Sequence, residues 1–389
     1  MSRRRPSTSN RRTSTNTTTG TPTEYDRNFG EGYERVNARF ADSVGPLIEP
    51  DDLVWVHDYH LLPLGSMLRQ KGVKNRMGLF LHTPWPPARL LVSLPFHERL
   101  VSSMLEYDVI GFQTEEWLGS FLHYVDKELG LDVNEDGTID YNGRTIVARA
   151  FPIGVDYKEF VEGSHSTEAK DAYEHLKASV RGRKVLIGVD RLDYSKGLGE
   201  RFESFNRFLA DNPDRAGEVV LLQIAPPSRG DVASYQQIRE DLERKTGHIN
   251  GAHADVAFVP IRYVNRGYPR RQLAGFYRAA DIGLVTPLRD GMNLVAKEYV
   301  AAQDPEDPGV LILSQFAGAA LQLTDALLVN PHSIEHVSET IKRALEMPLA
   351  ERRERHEKLL ASVRDEDVVH WRDEFVKALF GEESGGSLS

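Results

Sequence analysis

The 389-residue sequence contains no cysteine. This excludes disulfide bonds, thiolate catalysis and cysteine-ligated zinc, and it fits a reducing compartment. The sequence also lacks any run close to the roughly 20 consecutive apolar residues that a membrane-spanning helix needs. We therefore predict a cytoplasmic protein that has no membrane partner.

An excess of positive charge is also missing, because the formal net charge is -10. Such a balance argues against general affinity for nucleic acid, and we predict no nucleic-acid partner. The first 23 residues nevertheless carry five arginines and no acid. This polar segment cannot bury enough apolar surface to fold, so residues 1–24 are predicted to be a disordered Arg/Ser/Thr-rich tail. Residues 381–389 are predicted to be a flexible Gly/Ser tail.

Between these tails, short β-rich runs alternate with helical patterns, which predicts an α/β fold of two Rossmann-like domains. Residues 25–155 would form the first domain and residues 156–360 the second, with the chain crossing over at Pro152–Tyr157. Residues 361–380 would form a helix that packs back on the first domain. In the second domain the predicted strands are Val185–Val189, Val219–Ile224, Val256–Pro260, Ile282–Val285, Val310–Leu313 and Leu327–Val329, and Phe316–Leu323 is predicted to be helical.

The segment Val189–Leu198 (VDRLDYSKGL) directly follows a buried strand. Arg191 and Lys196 would lie in a strand-to-helix loop above the cleft between the domains. Two cations in this position can bind a diphosphate and stabilise the charge that develops when a glycosyl bond breaks. A surface turn with ordinary salt bridges is the alternative.

The segment Asp290–Glu298 (DGMNLVAKE) is predicted to open a helix. Gly291 permits close approach of the backbone, and a helix N-terminus offers free N–H groups to phosphate. Asp290 and Glu298 are eight residues apart, about two helical turns, which suits carboxylates for hexose and ribose hydroxyls. The alternative is that Asp290 only caps the helix and that Glu298 is only a solvated surface residue.

In the first half, Asp58 and His82 each follow a predicted strand and would face the cleft. His57 and His60 flank Asp58, but the apolar surroundings and the lack of a further clustered ligand argue against a metal site. Arg229, in the PPSRGD segment, could bind an anionic acceptor such as a sugar phosphate. For each residue a structural role in a turn or cap is the alternative.

Together the blocks HDYHLLPL, DRLDYSKGL, APPSRGDV and TPLRDGMNLVAKEYVAAQ resemble the trehalose-6-phosphate synthase family. Members of that family are retaining glycosyltransferases with the GT-B architecture of two facing Rossmann-like domains. The resemblance extends from about Tyr25 to Leu379. It implies transfer of glucose from UDP-glucose or another NDP-glucose to glucose 6-phosphate, with no cofactor and no obligatory metal.

The resemblance also implies roles for individual residues. Catalytic roles fall on Arg191, Lys196, His82 and Asp290. Asp58 and Arg229 would contact the acceptor, and Thr83 would influence anomer selection. The implied donor-binding residues are Arg191, Lys196, Tyr268, Gly291, Met292, Asn293, Leu294, Val295, Ala296, Lys297 and Glu298.

Two features depart from the family pattern. No opening strand, glycine-rich loop or aromatic segment precedes Leu53, and Leu321 and Gln322 stand where the family commonly has Asn-Glu. We therefore expect an incomplete first domain, with the donor half of the site intact, the acceptor half incomplete and synthesis weak. A transferase or pseudo-glycosyltransferase with another acceptor, and an inactive nucleotide-sugar-binding regulatory protein, stay open as alternatives. The oligomeric state, monomer or homo-oligomer, is also open.

Overall fold

The first half of the computed structural model forms a five-stranded sheet with flanking helices. The structure describes residues 27–227 and 233–381. The strand order is β1-β2-β3-β5-β4, and only β4 is antiparallel to its neighbour. The strands are β1 (Val54–His57), β2 (Met77–Phe80), β3 (Val109–Phe112), β4 (Thr138–Tyr141) and β5 (Arg144–Ala150). The helices are α1 (Arg27–Val44), α2 (Leu64–Gln70), α3 (Ala88–Leu91), α4 (His97–Met104) and α5 (Glu115–Lys127).

The second half forms a six-stranded sheet, ordered β11-β10-β9-β6-β7-β8, in which every pair is parallel. Its strands are β6 (Lys184–Val189), β7 (Val219–Ile224), β8 (Ile261–Val264), β9 (Ile282–Val285), β10 (Val310–Ser314) and β11 (Leu327–Val329). Its helices are α6 (Tyr157–Ser164), α7 (Thr167–Val180), α8 (Leu198–Asp211), α9 (Ala233–His253), α10 (Arg270–Ala279), α11 (Leu294–Ala302), α12 (Ile334–Glu346), α13 (Leu349–Asp365) and α14 (Val368–Phe380).

The apolar runs that predicted the strands are buried on both faces, as parallel sheets covered by helices require. The predicted α/β class with two Rossmann-like units is thereby confirmed, whereas the domain boundaries stay a prediction. Within the described ranges, no helix is long and apolar enough to cross a membrane.

Two predicted elements of the second half are wrong. The run Val256–Pro260 is a turn after α9, in which Val256 is fully exposed, and the strand begins at Ile261 instead. Phe316–Leu323 contains only a short 3-10 turn at Gly318–Leu321. Apolar composition alone could not distinguish these turns from regular elements. The sequence reading also missed β4, which is antiparallel and lies at one edge of the first sheet.

The C-terminal helix α14 returns to the first sheet. Its Phe375 stacks on Trp55 of β1 at a ring-centroid distance of 4.4 Å and lies over Gly78 and Gly111 of β2 and β3. A Cβ atom at Gly78 would lie 2.6 Å from the Phe375 ring. The two glycines therefore make room for this aromatic side chain.

Candidate active site

A cavity of about 420 Å³ lies between the carboxyl ends of the two sheets. Ligands of open α/β folds bind at this edge, because the strand-to-helix loops meet there. The lining residues come from the ends of β2, β3, β5, β6 and β9 or the loops that follow them, and from α11. They are His82, Gln113, Ile153, Val189, Asp190, Arg191, Lys196, Asp290, Met292, Asn293, Leu294, Val295 and Glu298.

The loop after β6 brings two cations to this cavity, as predicted. Arg191 is exposed and has no hydrogen bond or ion pair with any residue that the structure describes. Lys196 donates from Nζ to Asp290 Oδ2 at 2.6 Å, and both side chains are only 16% exposed. One cation is thus available to a ligand, and the other links the two motifs that were predicted separately.

Helix α11 points its N-terminus at the cavity. Asn293 caps the helix by accepting a hydrogen bond from the Ala296 amide at 3.2 Å, and its φ of 79° lies in the left-handed region. The amides of Leu294 and Val295 in the first turn have no intrahelical acceptor. They and the positive end of the helix dipole suit a phosphate group.

Two carboxylates lie at opposite ends of this segment. Asp290 accepts hydrogen bonds from Lys196 and from Asn293 Nδ2, the latter at 3.0 Å. Glu298 is more enclosed, and burial raises its pKa, while Arg270 and Tyr277 act in the opposite direction. The Arg270 guanidinium lies 3.5 Å from Glu298 Oε1 and the Tyr277 hydroxyl 3.4 Å from Oε2.

The first sheet contributes His82 through a chain of hydrogen bonds. The Ile153 amide donates to Gln113 Oε1 at 3.0 Å, which turns the Gln113 Nε2 group toward His82 Nδ1 at 3.5 Å. For a neutral ring, an acceptor at His82 Nδ1 leaves the proton on Nε2, which faces His57 Nδ1 at 3.2 Å. Burial lowers the pKa of His82 despite the nearby Asp58 charge, which favours the neutral ring.

Asp58 lies in a strained turn beside this histidine. Its φ of 68° and ψ of 171° fall in a region that residues other than glycine rarely adopt. Its amide is fixed by the Phe80 carbonyl at 2.7 Å, and Thr83 Oγ1 donates to its Oδ1 at 3.4 Å. The structure therefore brings Asp58, His82 and Thr83 together at the ends of β1 and β2.

The backbones of the two halves approach each other closely at Gly291. A Cβ atom built there would lie 1.9 Å from the carbonyl oxygen of His82. The backbone fixes the position of this Cβ, and the His82 oxygen is itself a backbone atom, so no side-chain rotation could relieve the contact. The expectation that Gly291 permits close backbone approach therefore has a specific partner in the structure.

Several residues from the predicted site lie outside the cavity lining. Tyr268 packs edge-to-face on Phe276 at 5.1 Å and under the Arg266 guanidinium. Ala296 is buried, and the Lys297 side chain points away, donating to the Ile153 carbonyl at 2.8 Å and to Gln322 Oε1 at 2.7 Å. Arg229 lies outside the described residues.

Some residues that stabilise the loops around the cavity were not predicted from the sequence. Arg201 of α8 is almost fully buried and donates to Asp190, to Gln223 Oε1 at 2.8 Å and to Thr286 Oγ1 at 3.0 Å. It thereby holds together the segments that follow β6 and β9. Its position on the apolar face of α8, directly before Phe202, was the signal available in the sequence. Gln113 and Arg270 had no comparable pattern.

Among the residues that the structure describes, no group of three His, Asp or Glu side chains could hold a metal ion. In the segment His57–His60, which was weighed as a metal site, His60 Nδ1 lies 3.9 Å from Asp58 Oδ2.

Comparison with known proteins gives a consistent set of relatives. The model of glycosyltransferase family 20 matches residues 15–380. A trehalose-6-phosphate synthase of Cronobacter sakazakii is 48% identical over 355 residues, covering 91% of this chain and 75% of the relative. One of Sinorhizobium fredii is 47% identical over 356 residues, covering 92% and 77%.

Solved structures agree with these relatives. A UDP-forming trehalose-phosphate synthase of Burkholderia xenovorans in complex with glucose 6-phosphate superposes with a TM-score of 0.89 at 48% identity, covering 92% of this chain and 80% of the other. An E. coli structure described as bound with UDP-2-fluoro glucose has a TM-score of 0.89 at 43% identity, covering 92% and 79%.

Proposed function

The chain belongs to glycosyltransferase family 20, and from that premise we propose that it transfers glucose from UDP-glucose to glucose 6-phosphate, forming trehalose 6-phosphate and UDP. The fold is GT-B, with two facing Rossmann-like units. The relatives described above bear the name of this synthase, and two of the solved structures contain glucose 6-phosphate or a UDP-glucose analogue.

The observation that carries the proposal is the mixed lining of the cavity. Arg191, Lys196 and the α11 N-terminus offer positive charge and free amides on one side, and His82 offers a neutral ring on the other. A nucleotide diphosphate needs the first kind of group and a hexose needs the second. Both kinds meet within about 420 Å³.

In the proposed reaction, the bond between C1 of the donor glucose and the β-phosphate oxygen breaks. The 1-hydroxyl of glucose 6-phosphate attacks C1 from the same face, so the configuration at C1 is retained. The departing phosphate oxygen takes the hydroxyl proton, and no side chain acts as a covalent nucleophile. Arg191 and Lys196 stabilise the negative charge that grows on the leaving UDP.

The two sugars require different neighbours. We assign the donor glucose hydroxyls to Asp290 and His82, which flank the cavity, and the ribose hydroxyls to Glu298. The acceptor falls to Asp58 and Arg229, with Thr83 beside Asp58 as the residue that influences the anomer. Lys196 already contacts Asp290, so binding of the diphosphate would redistribute this ion pair between carboxylate and ligand.

The nucleotide-sugar is a substrate of this reaction and not a resident cofactor. We propose that turnover needs no metal, because the cations Arg191 and Lys196 can neutralise the diphosphate. We also propose a cytoplasmic location, which the absence of cysteine supports.

The direct test is incubation of the purified full chain with UDP-glucose and glucose 6-phosphate, with and without a metal chelator. We expect release of UDP together with a product whose proton NMR spectrum shows two α-configured anomeric centres. UDP release that occurs equally without glucose 6-phosphate would indicate hydrolysis and contradict the proposal. A product formed only with a different acceptor would contradict the acceptor assignment.

A further inference from the structure

Arg270 lies at the first position of α10, between the cavity and a neighbouring helix. Its Nη1 donates to Glu159 Oε2 of α6 at 3.3 Å, and its Nη2 donates to Glu298 Oε1 of α11 at 3.5 Å. The guanidinium also lies over the Phe160 ring, 5.7 Å from the ring centroid. Two carboxylates and an aromatic face thus define where this side chain sits.

The charges around the cavity leave Glu298 with Arg270 as its cationic contact among the described residues. Lys196 contacts Asp290, Arg201 contacts Asp190, and Arg191 has no contact of this kind. The Glu298 side chain is only 14% exposed. A carboxylate with so little water around it needs a cation or hydrogen-bond donors to remain charged.

We infer that Arg270 is a positioning residue for nucleotide binding, because it holds the Glu298 carboxylate in place to accept hydrogen bonds from ribose hydroxyls. The inference rests on the proposed function, which places ribose beside Glu298. Arg270 donates from Nη2 to Glu298 and from Nη1 to Glu159. Its guanidinium therefore links α6 to Glu298 of α11 beside the cavity. Tyr277 holds the second Glu298 oxygen from the same helix.

The geometry explains why arginine suits this position. A planar guanidinium can contact two carboxylates on different helices at once, whereas a lysine ammonium is a single point charge. Arg271, the next residue, instead pairs with Glu168 of α7 at 3.4 Å on the surface. The chain therefore offers two adjacent arginines, of which one faces Glu298 and the other does not.

The experiment measures dissociation constants of UDP, 2′-deoxy-UDP and 3′-deoxy-UDP by titration calorimetry on the full chain. Native protein is compared with Arg270→Gln, Arg270→Lys and the matched control Arg271→Gln. A fourth variant, Glu298→Gln, is tested alone and combined with Arg270→Gln. Circular dichroism and thermal unfolding establish that each variant is folded.

For native protein and Arg271→Gln we expect UDP to bind about 10-fold more tightly than the deoxy analogue that lacks the contacted hydroxyl. Arg270→Gln should lose most of this ratio by weakening UDP, while its affinity for that analogue stays nearly native. Arg270→Lys should recover part of the ratio. In the Glu298→Gln background, Arg270→Gln should cause no further loss.

An unchanged ratio in Arg270→Gln would overturn the inference and leave the proposed function standing. Equal weakening of UDP and both deoxy analogues would also overturn it, because that pattern indicates a general charge effect. If native protein binds UDP without any ribose preference, the role of Arg270 is wrong although the nucleotide site is right. If native protein does not bind UDP, both proposals fail.

Discussion

The two sheets present different chemistry to the same cavity. The second sheet contributes the charged groups Arg191, Lys196, Asp290 and Glu298 together with a helix N-terminus. The first contributes His82 and Gln113, which are neutral groups connected by hydrogen bonds. This difference suggests that the second half recognises the nucleotide diphosphate and stabilises the leaving group, while the first orients the sugars.

The two sides also differ in how they are supported. The loop after β6 is held from behind by the buried Arg201, which contacts residues of three strands or their following loops. Asp58 on the first side is held by backbone hydrogen bonds, and its φ of 68° lies in the left-handed region. Rigid support for groups that face developing charge is what electrostatic catalysis requires.

Lys196→Met should produce the largest effect, since it removes one of the two cations. We expect kcat to fall by about 10²–10³-fold with a smaller change in the KM for UDP-glucose, because the charge on the leaving group grows toward the transition state. Steady-state kinetics of UDP release measure both constants. Lys184→Met is the control, because Lys184 lies at the opposite end of β6 and pairs with Asp281. A loss confined to KM would break the assignment of leaving-group stabilisation to the second half.

Gly291→Ala should have the next largest effect. The added Cβ would meet the His82 carbonyl, so the two halves must separate locally, and a displacement of about 1 Å can cost about 10²-fold in rate. Turnover at saturating substrates is the measurement. Gly119→Ala on α5 is the control, because a Cβ there meets no atom within 4 Å. Activity within a few-fold of native in Gly291→Ala would show that the close contact is dispensable.

His82→Phe should have a smaller effect of about 10-fold on kcat/KM, because it removes one neutral hydrogen-bonding group while retaining an aromatic ring. The loss should be at least as large at pH 8 as at pH 6.5, since burial lowers the pKa of His82 and favours the neutral ring. His123→Phe, on the exposed side of α5, is the control. A loss that appears only at low pH would indicate that the protonated ring is the active form.

Lys297→Met should have the smallest effect on rate, and its main effect should be on the pH dependence of stability. Burial lowers the pKa of Lys297 to about 8, so between pH 8 and 10.5 the folded chain binds fewer protons than the unfolded one. The unfolding free energy of native protein should therefore rise relative to the variant across this interval, by about 3 kcal/mol in total. Urea unfolding at pH 7.5, 9 and 10.5 measures it. Parallel curves for the two proteins would contradict the titration of Lys297.

Much of the fold could be predicted from the sequence because buried parallel strands are recorded as apolar runs. Strands β7, β9 and β11 have the predicted bounds. The misplaced strand at Val256–Pro260 shows the limit, since that run has the same composition as a strand but is followed by the true strand at Ile261. Local pattern cannot decide which of two adjacent apolar runs joins the sheet.

For the site, the sequence could indicate which loops carry charge but not which atoms meet. The Lys196–Asp290 pair joins residues 94 positions apart, and its existence depends on the register of β6 and β9. Lys297 lies within the predicted donor segment, yet its side chain turns toward Ile153 and Gln322. Helical phase within α11 separates Lys297 from Glu298, and only the packing of α11 determines which of them faces the cavity.

Calorimetric titration of UDP into the full chain tests the division of labour between the halves most directly. Arg191→Gln, which alters an exposed cation of the second half, should weaken UDP binding by about 10-fold or more. His82→Phe in the first half should leave UDP affinity within about 2-fold of native. If His82→Phe weakens UDP as much as Arg191→Gln does, the nucleotide diphosphate is not recognised by the second half alone and the account is wrong.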